Sequence, residues 1–462
     1  MMRVRLYTVA FFIIALSSLG CSKFLETPVQ NNVTVDDIFK DFEGARLTVV
    51  EMYNSLRGVN YYLRDMYLYA DVTGGNIKFS RTSGAVLLQT YNFQNDAGST
   101  DLRNLYTQAY KLIYSANNVL ENIGRASNAT VQQRNRLVAD AYVFRALTHF
   151  DLVRIFAQPY TFSNNGAHPG IVLRLRNASV TEPIPDRNTV NEVYAAVLAD
   201  LDSAIARYAN SVNVYVSSSE KIFFSANYAN ALKARVNLYK EDNAAAVANA
   251  SSVISNTQYA LTTNANYVNS WRGTTNMTES IFEIDCSNII GTGIGNFFNP
   301  FVPSNFNLQM AATTDITNLF QSGDVRGVNT LFTNPVNGFI YTRKYQGTAD
   351  SINNIKLMRL SELYLTRAEA QVKQGNITAA LADLNIIRLR ANPSAVPFSS
   401  ANVADVLAAI LLERRRELCF EGHLFFDIAR NKQNLVRTDC ASPTCSFSFP
   451  NSNFASPIPI VN

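Results

Sequence analysis

Hydrophobic residues recur along most of this chain with the three- to four-residue spacing of amphipathic helices, and the helical segments come in adjacent pairs. The clearest pair is IKLMRLSELYLTRAEAQVKQGN followed by ITAALADLNIIRLRANP. In the first, Leu360, Leu363, Tyr364 and Ala368 share one face; in the second, Ala380, Leu384 and Ile387 form the stripe. Gly375-Asn376 supplies a left-handed turn between them, and Pro393 stops the second helix. Small residues at 368 and 380 let the two helices approach closely, and the spacing is similar to a tetratricopeptide repeat. A weaker copy lies at ANYANALKARVNLYKEDNAAAVANASSVI. A third pairs RNRLVADAYVFRALTHFDLVRIF with TVNEVYAAVLADLDSAIARY across an insertion at roughly 157–188, and a fourth pairs Asp101–Ile123 with a partner near Asp36–Leu56. The pattern predicts a mostly α fold, a tetratricopeptide-like scaffold of about four helix pairs, with repeat helices at roughly 36–56, 101–156, 189–256 and 356–435.

Two stretches break the period. Residues 58–100 and 257–356 are rich in Asn, Gly, Thr and aromatics, with short strands such as Ile281–Ile284 and a few short helices. Long insertions on a rigid scaffold are where function concentrates, so they predict a loop-rich, mixed α/β ligand-binding face. The tail after Arg437 is rich in Ser, Pro and Phe and reads as irregular.

The N-terminus has a different logic. Arg3 and Arg5 precede an apolar run from Leu6 to Leu19, then Gly20 and Cys21. This is the order of a signal peptide, residues 1–20, and the run is shorter than the ~20 residues that span a bilayer. A Cys directly after the small residue resembles the bacterial lipobox, although Ser18 stands where that pattern usually has Leu. The expectation is export, lipidation of Cys21, and one mature domain, 21–462.

Composition narrows the function. Charged residues are only 16% of the chain and the net charge is +4. With no basic runs, a nucleic-acid partner is excluded as an expectation. Polarity comes instead from uncharged side chains, 50 Asn among them, a surface suited to neutral polar ligands. Cys286 and Cys419 sit in apolar and helical contexts and read as core thiols. Cys440 and Cys445 enclose ASPT in a polar loop, where an oxidising compartment favours a disulfide over zinc.

No G-x-S-x-G, H-E-x-x-H, calcium loop or phosphate loop is present, so neither enzyme activity, a metal nor a cofactor is expected. GTGIG at 291–295 lacks dinucleotide spacing and reads as a loop. His149, His168 and His423 read as structural. So does the charged run Glu413, Arg414, Arg415, Arg416, Glu417, Glu421 and Arg430, whose charges can pair internally.

Five segments together resemble the SusD/RagB family of Bacteroidetes surface lipoproteins: the lipobox with CSKFLETPVQ, YKLIYSANNVLENI, YVFRALTHFDLVRIFAQPY, LMRLSELYLTRAEA and ERRRELCFEGHLFFDIAR. The resemblance implies a nutrient-binding protein, not an enzyme, tethered to outer-membrane lipid at the cell surface. Its ligand would most often be an oligosaccharide, in some members a peptide, delivered to a SusC-like TonB-dependent transporter. The rival readings are a peptide- or protein-binding repeat lipoprotein and a lipid-anchored glycoside hydrolase.

A pyranose ring packs its C–H face on an aromatic ring and takes amide partners for its hydroxyls. On that chemistry the insertions offer Tyr61, Asn76, Tyr91, Phe93, Trp271, Phe298 and Asn299 as ligand contacts, with Lys78 and Phe301 nearby.

Overall fold

The computed structural model describes residues 34–179, 181–183, 185–215, 220–287, 293–301, 308–346 and 352–460. The signal segment and Cys21 lie outside the described residues. In chain order the main elements are α1 (Phe42–Leu56), α2 (Asp65–Gly74), β1 (Ile77–Phe79), α3 (Thr100–Asn122), α4 (Val131–Phe156), α5 (Val190–Tyr208), α6 (Ala226–Lys240) and α7 (Asn243–Ile254). After them come β2 (Ser280–Ile284), β3 (Met310–Ala312), β4 (Ile355–Arg359), α8 (Leu360–Lys373), α9 (Ile377–Ala391), α10 (Val403–Glu417), α11 (Leu424–Arg430), β5 (Leu435–Val436) and β6 (Ser446–Phe447).

Four helix pairs pack face to face: α1 with α3, α4 with α5, α6 with α7, and α8 with α9. Helix starts are written locally. Thr130 with Gln133, and Thr189 with Glu192, form reciprocal capping boxes that satisfy the first free N–H groups of α4 and α5. Between α8 and α9, Gly375 adopts φ +81°. Ala368 and Ala380 are fully buried in one cluster with Leu365, Leu384 and Ile387, to which α10 adds Val406 and Ile410.

The first insertion holds short helices, as the sequence reading expects, but the period does not place them. Within 58–100 the chain forms α2, and every residue of it is buried. A helix apolar contacts surround has no polar face, so it carries no amphipathic period to detect. The strands form three antiparallel pairs, β1–β3, β2–β4 and β5–β6.

The charged run on α10 and α11 is interior. Glu417 takes Arg390 at 2.6 Å and both Arg326 and Arg359 at 3.0 Å, while Glu421 takes Lys344 at 2.6 Å and Arg359 at 2.7 Å. Glu369 pairs with Arg430, and Asp427 with Arg414. Buried charge is tolerable here because each carboxylate meets at least one guanidinium or ammonium. The elbow between α10 and α11 needs positive φ at Phe420 and Gly422, +63° and +81°. A Cβ at Gly422 would lie 2.8 Å from the carbonyl oxygen of Tyr67, so the glycine of the Glu-Gly-His motif is a packing requirement. Asp71 of α2 accepts the elbow's N–H groups, from Phe420 at 2.8 Å and Gly422 at 2.7 Å. His423 is buried beside Glu362, and burial together with Arg235 and Arg414 holds its imidazole neutral.

Candidate functional site

The structure corrects the choice of contact residues, because six of the seven side chains are buried and the seventh, Phe93, is half-buried. Tyr61 donates to Asp151 at 2.6 Å, and its neighbour Tyr62 does the same. Asn76 donates to Asp71 at 2.7 Å and accepts from Arg415 at 3.1 Å. Tyr91 and Phe93 lie under the guanidinium of Arg437, 4.7 Å and 5.0 Å from their ring centres. Trp271 is held between Lys344 at 4.4 Å and Arg359 at 5.0 Å. Phe298 packs on Tyr345 and Phe420, and Asn299 is buried next to it. The cause is compositional. In segments built of Asn, Thr and Gly, the large aromatics are what gives the loops a core of their own.

Asn76, Tyr91 and Phe93 do share a location. They underlie a junction where the first insertion, the second insertion and the C-terminal tail meet. Lys78 on β1 pairs with Asp439 at 2.7 Å, and the same carboxylate accepts from Thr314 N at 2.7 Å. Thr438 N donates to Asp315 at 2.7 Å. A disulfide joins Cys440 to Cys445 beside this junction. The tail is therefore part of the frame that holds the loops.

The surface itself comes from residues 260–278. Tyr267 and Trp271, four apart, both turn inward; Tyr267 donates to Glu417 at 3.1 Å. Their inward plugging leaves Asn266, Asn269 and Arg272 on the solvent side. The segment is fastened at both ends. Asn264 donates to the carbonyls of Arg390 and Ala391 at 3.1 and 2.9 Å, and Lys221 donates to those of Met277 and Thr278 at 2.7 and 3.0 Å. Gly273 N donates to Asn353 at 2.8 Å, and Asn276 donates to Glu283 at 3.1 Å.

The result is an open groove of about 530 Å³ with a short apolar floor, Leu261 and Met277, and walls of Thr262, Thr263, Asn266, Asn269, Ser270, Arg272, Thr275 and Thr278. Such walls offer hydroxyl and amide partners, and among the described residues no carboxylate lines them. A groove of similar size, about 540 Å³, lies between α9 and α10, but its walls are largely aliphatic and charged, including Leu384, Phe398, Leu412, Arg388 and Glu413. Among the described residues no group of three or more His, Cys, Asp or Glu is arranged to hold a metal ion. The signal that could have pointed to the groove is the run LTTNANYVNSWRGTTNMT, dense in Asn and Thr rather than in rings.

Comparison with known proteins agrees with this architecture. Residues 252–444 match the SusD family, and residues 23–238 match a family described as starch-binding and associating with the outer membrane. Two SusD-like proteins of Formosa agariphila are 27% and 25% identical, covering 92% and 90% of this chain and 90% of each relative. A SusD superfamily structure from Bacteroides thetaiotaomicron superposes with a TM-score of 0.80 at 26% identity, and one from Bacteroides vulgatus with 0.80 at 28%. In both cases the match covers 91% of this chain and 96% of the other. The two matched segments together span nearly the whole chain, the superposed folds cover 91% of it, and the chain belongs to the SusD family.

Proposed function

We propose that this protein is a surface lipoprotein that binds an oligosaccharide on its loop-rich side and delivers it to a SusC-like TonB-dependent transporter. The observation that carries the reading is the match of residues 23–238 to a family described as starch-binding and outer-membrane-associated. The groove at 260–278 supports it chemically, since sugar hydroxyls need neutral donors and acceptors on a fixed frame. A hydrolytic role finds no support in the groove, because glycoside hydrolysis needs two carboxylates flanking the bond and none of the described residues that line the walls is one. Binding in isolation is expected to be modest, because the groove is open and the transporter would complete the enclosure. Two measurements test the proposal together. Affinity purification from outer membranes should bring down a TonB-dependent transporter in stoichiometric amount, and glycan screening should return a bound oligosaccharide class. Recovery of the protein alone, with peptides rather than glycans retained, would favour a peptide-binding role.

A further inference from the structure

The groove at 260–278 carries a charge that no carboxylate among the described residues balances. Arg272 lines it and is exposed, and among the described residues no carboxylate lies within ion-pair distance of it. Arg343, half-buried, has no carboxylate partner either; one of its N–H groups reaches only the carbonyl of Thr330, at 3.4 Å. Burial and the neighbouring Arg272 charge both depress its basicity, so the two guanidiniums stand close enough to repel each other. The interior guanidiniums next to this segment are different. Arg326, Arg359 and Arg390 each meet two or more carboxylates. The carboxylates closest in sequence, Glu279 and Glu283, are fully buried and already engaged, by Arg359 and Arg390 and by Asn276 and Met277 N.

We infer that the groove selects an acidic oligosaccharide, with Arg272 taking the carboxylate or sulfate group of one sugar unit and the exposed Asn266 and Asn269 taking its hydroxyls. This rests on the glycan-binding reading above and names the ligand class within it. A planar guanidinium fits carboxylate or sulfate oxygens in a two-point, charge-assisted hydrogen bond. Arg343, as the adjacent uncompensated charge, strengthens attraction to an anion without needing to touch it. Because Arg272 is solvent-exposed, the charge contribution must fall as salt screens it.

The test uses matched probes that differ only in charge: an oligogalacturonate and its methyl-esterified form, and a sulfated galactan oligosaccharide and its desulfated form. Calorimetric titration of the purified protein should show at least one charged probe bound about tenfold more tightly than its uncharged partner at low salt. That difference should shrink in 0.5 M NaCl, on the order of the loss that screening brings. Arg272→Gln should abolish the difference and Arg272→Lys should retain part of it, with melting temperatures unchanged because the side chain is exposed. A charge preference that survives Arg272→Gln, or equal affinity for both members of each pair, overturns the inference. Binding of neutral glycans such as starch alone also overturns it while leaving the glycan-binding reading standing. Retention of no glycan at all removes both.

Discussion

Asp71 shows how much one side chain can fix. Its carboxylate binds Asn76 and the two backbone N–H groups of the α10–α11 elbow, all inside the protein. Burial pushes its carboxyl up to about 6, against the opposing effect of those hydrogen bonds. The unfolded chain, near 3.8, gives up the proton first. Asp71 therefore contributes most stability below about pH 4, progressively less up to about pH 6, and a constant amount above. A carbonyl-detected NMR titration should place its midpoint near 6, and a midpoint near 4 would show that the hydrogen bonds dominate burial. Asp71→Asn should weaken the elbow at all pH values, since the amide N–H₂ would face a backbone donor that the carboxylate now satisfies.

At the scale of elements, the stack rests on close helix contacts and on interior ion pairs. Ala368→Leu or Ala380→Leu should cost roughly 1–3 kcal/mol, measured by denaturant unfolding, because each methyl-sized site is already closed by the facing helix. Unchanged stability would mean the α8–α9 contact is looser than its burial implies. Glu417→Gln should cost about 3–5 kcal/mol, because it leaves Arg326, Arg359 and Arg390 without their shared carboxylate. The exposed Arg176–Glu182 pair is the control, and its removal should change little. Burial alone would raise the carboxyls of Glu369 and Glu417, but the surrounding Arg and Lys charges outweigh it and hold both below the ordinary 4.5. Their contribution is thus complete above about pH 4.5 and is lost as pH falls below it, opposite in sign to that of Asp71.

The helices were legible where they alternate between core and water, as α8 and α9 do. The short helix expected in 58–100 could not be placed, because burial of α2 on every side erases the period. The charged elbow was legible as architecture, but not its pairing: inside the run only Arg416 meets Glu413, and Glu417, Glu421 and Arg430 take their partners from Arg326, Arg359, Arg390, Lys344 and Glu369 on other elements. The candidate site was much less so. Choosing rings in the insertions selected Tyr61, Trp271 and Phe298, which the loops spend on their own interior. Which of Asn266, Asn269 and Arg272 faces water depends on Tyr267 and Trp271 plugging inward, a tertiary fact with no local signature.

For the whole molecule, anchoring and binding should be separable. Cys21→Ser is expected to release the protein from the membrane fraction or leave it unprocessed, without altering ligand affinity in solution. Native protein that lacks covalent lipid by mass spectrometry would contradict the anchor. Glycan binding itself is tested most directly by affinity electrophoresis in gels containing single glycans. One glycan class should slow the wild-type protein, the Asn266→Ala/Asn269→Ala variant should run unretarded, and Tyr114→Ala, an exposed ring on α3, should behave as wild type. Retardation by no glycan, or retardation that survives in the groove variant, would contradict binding at the 260–278 groove.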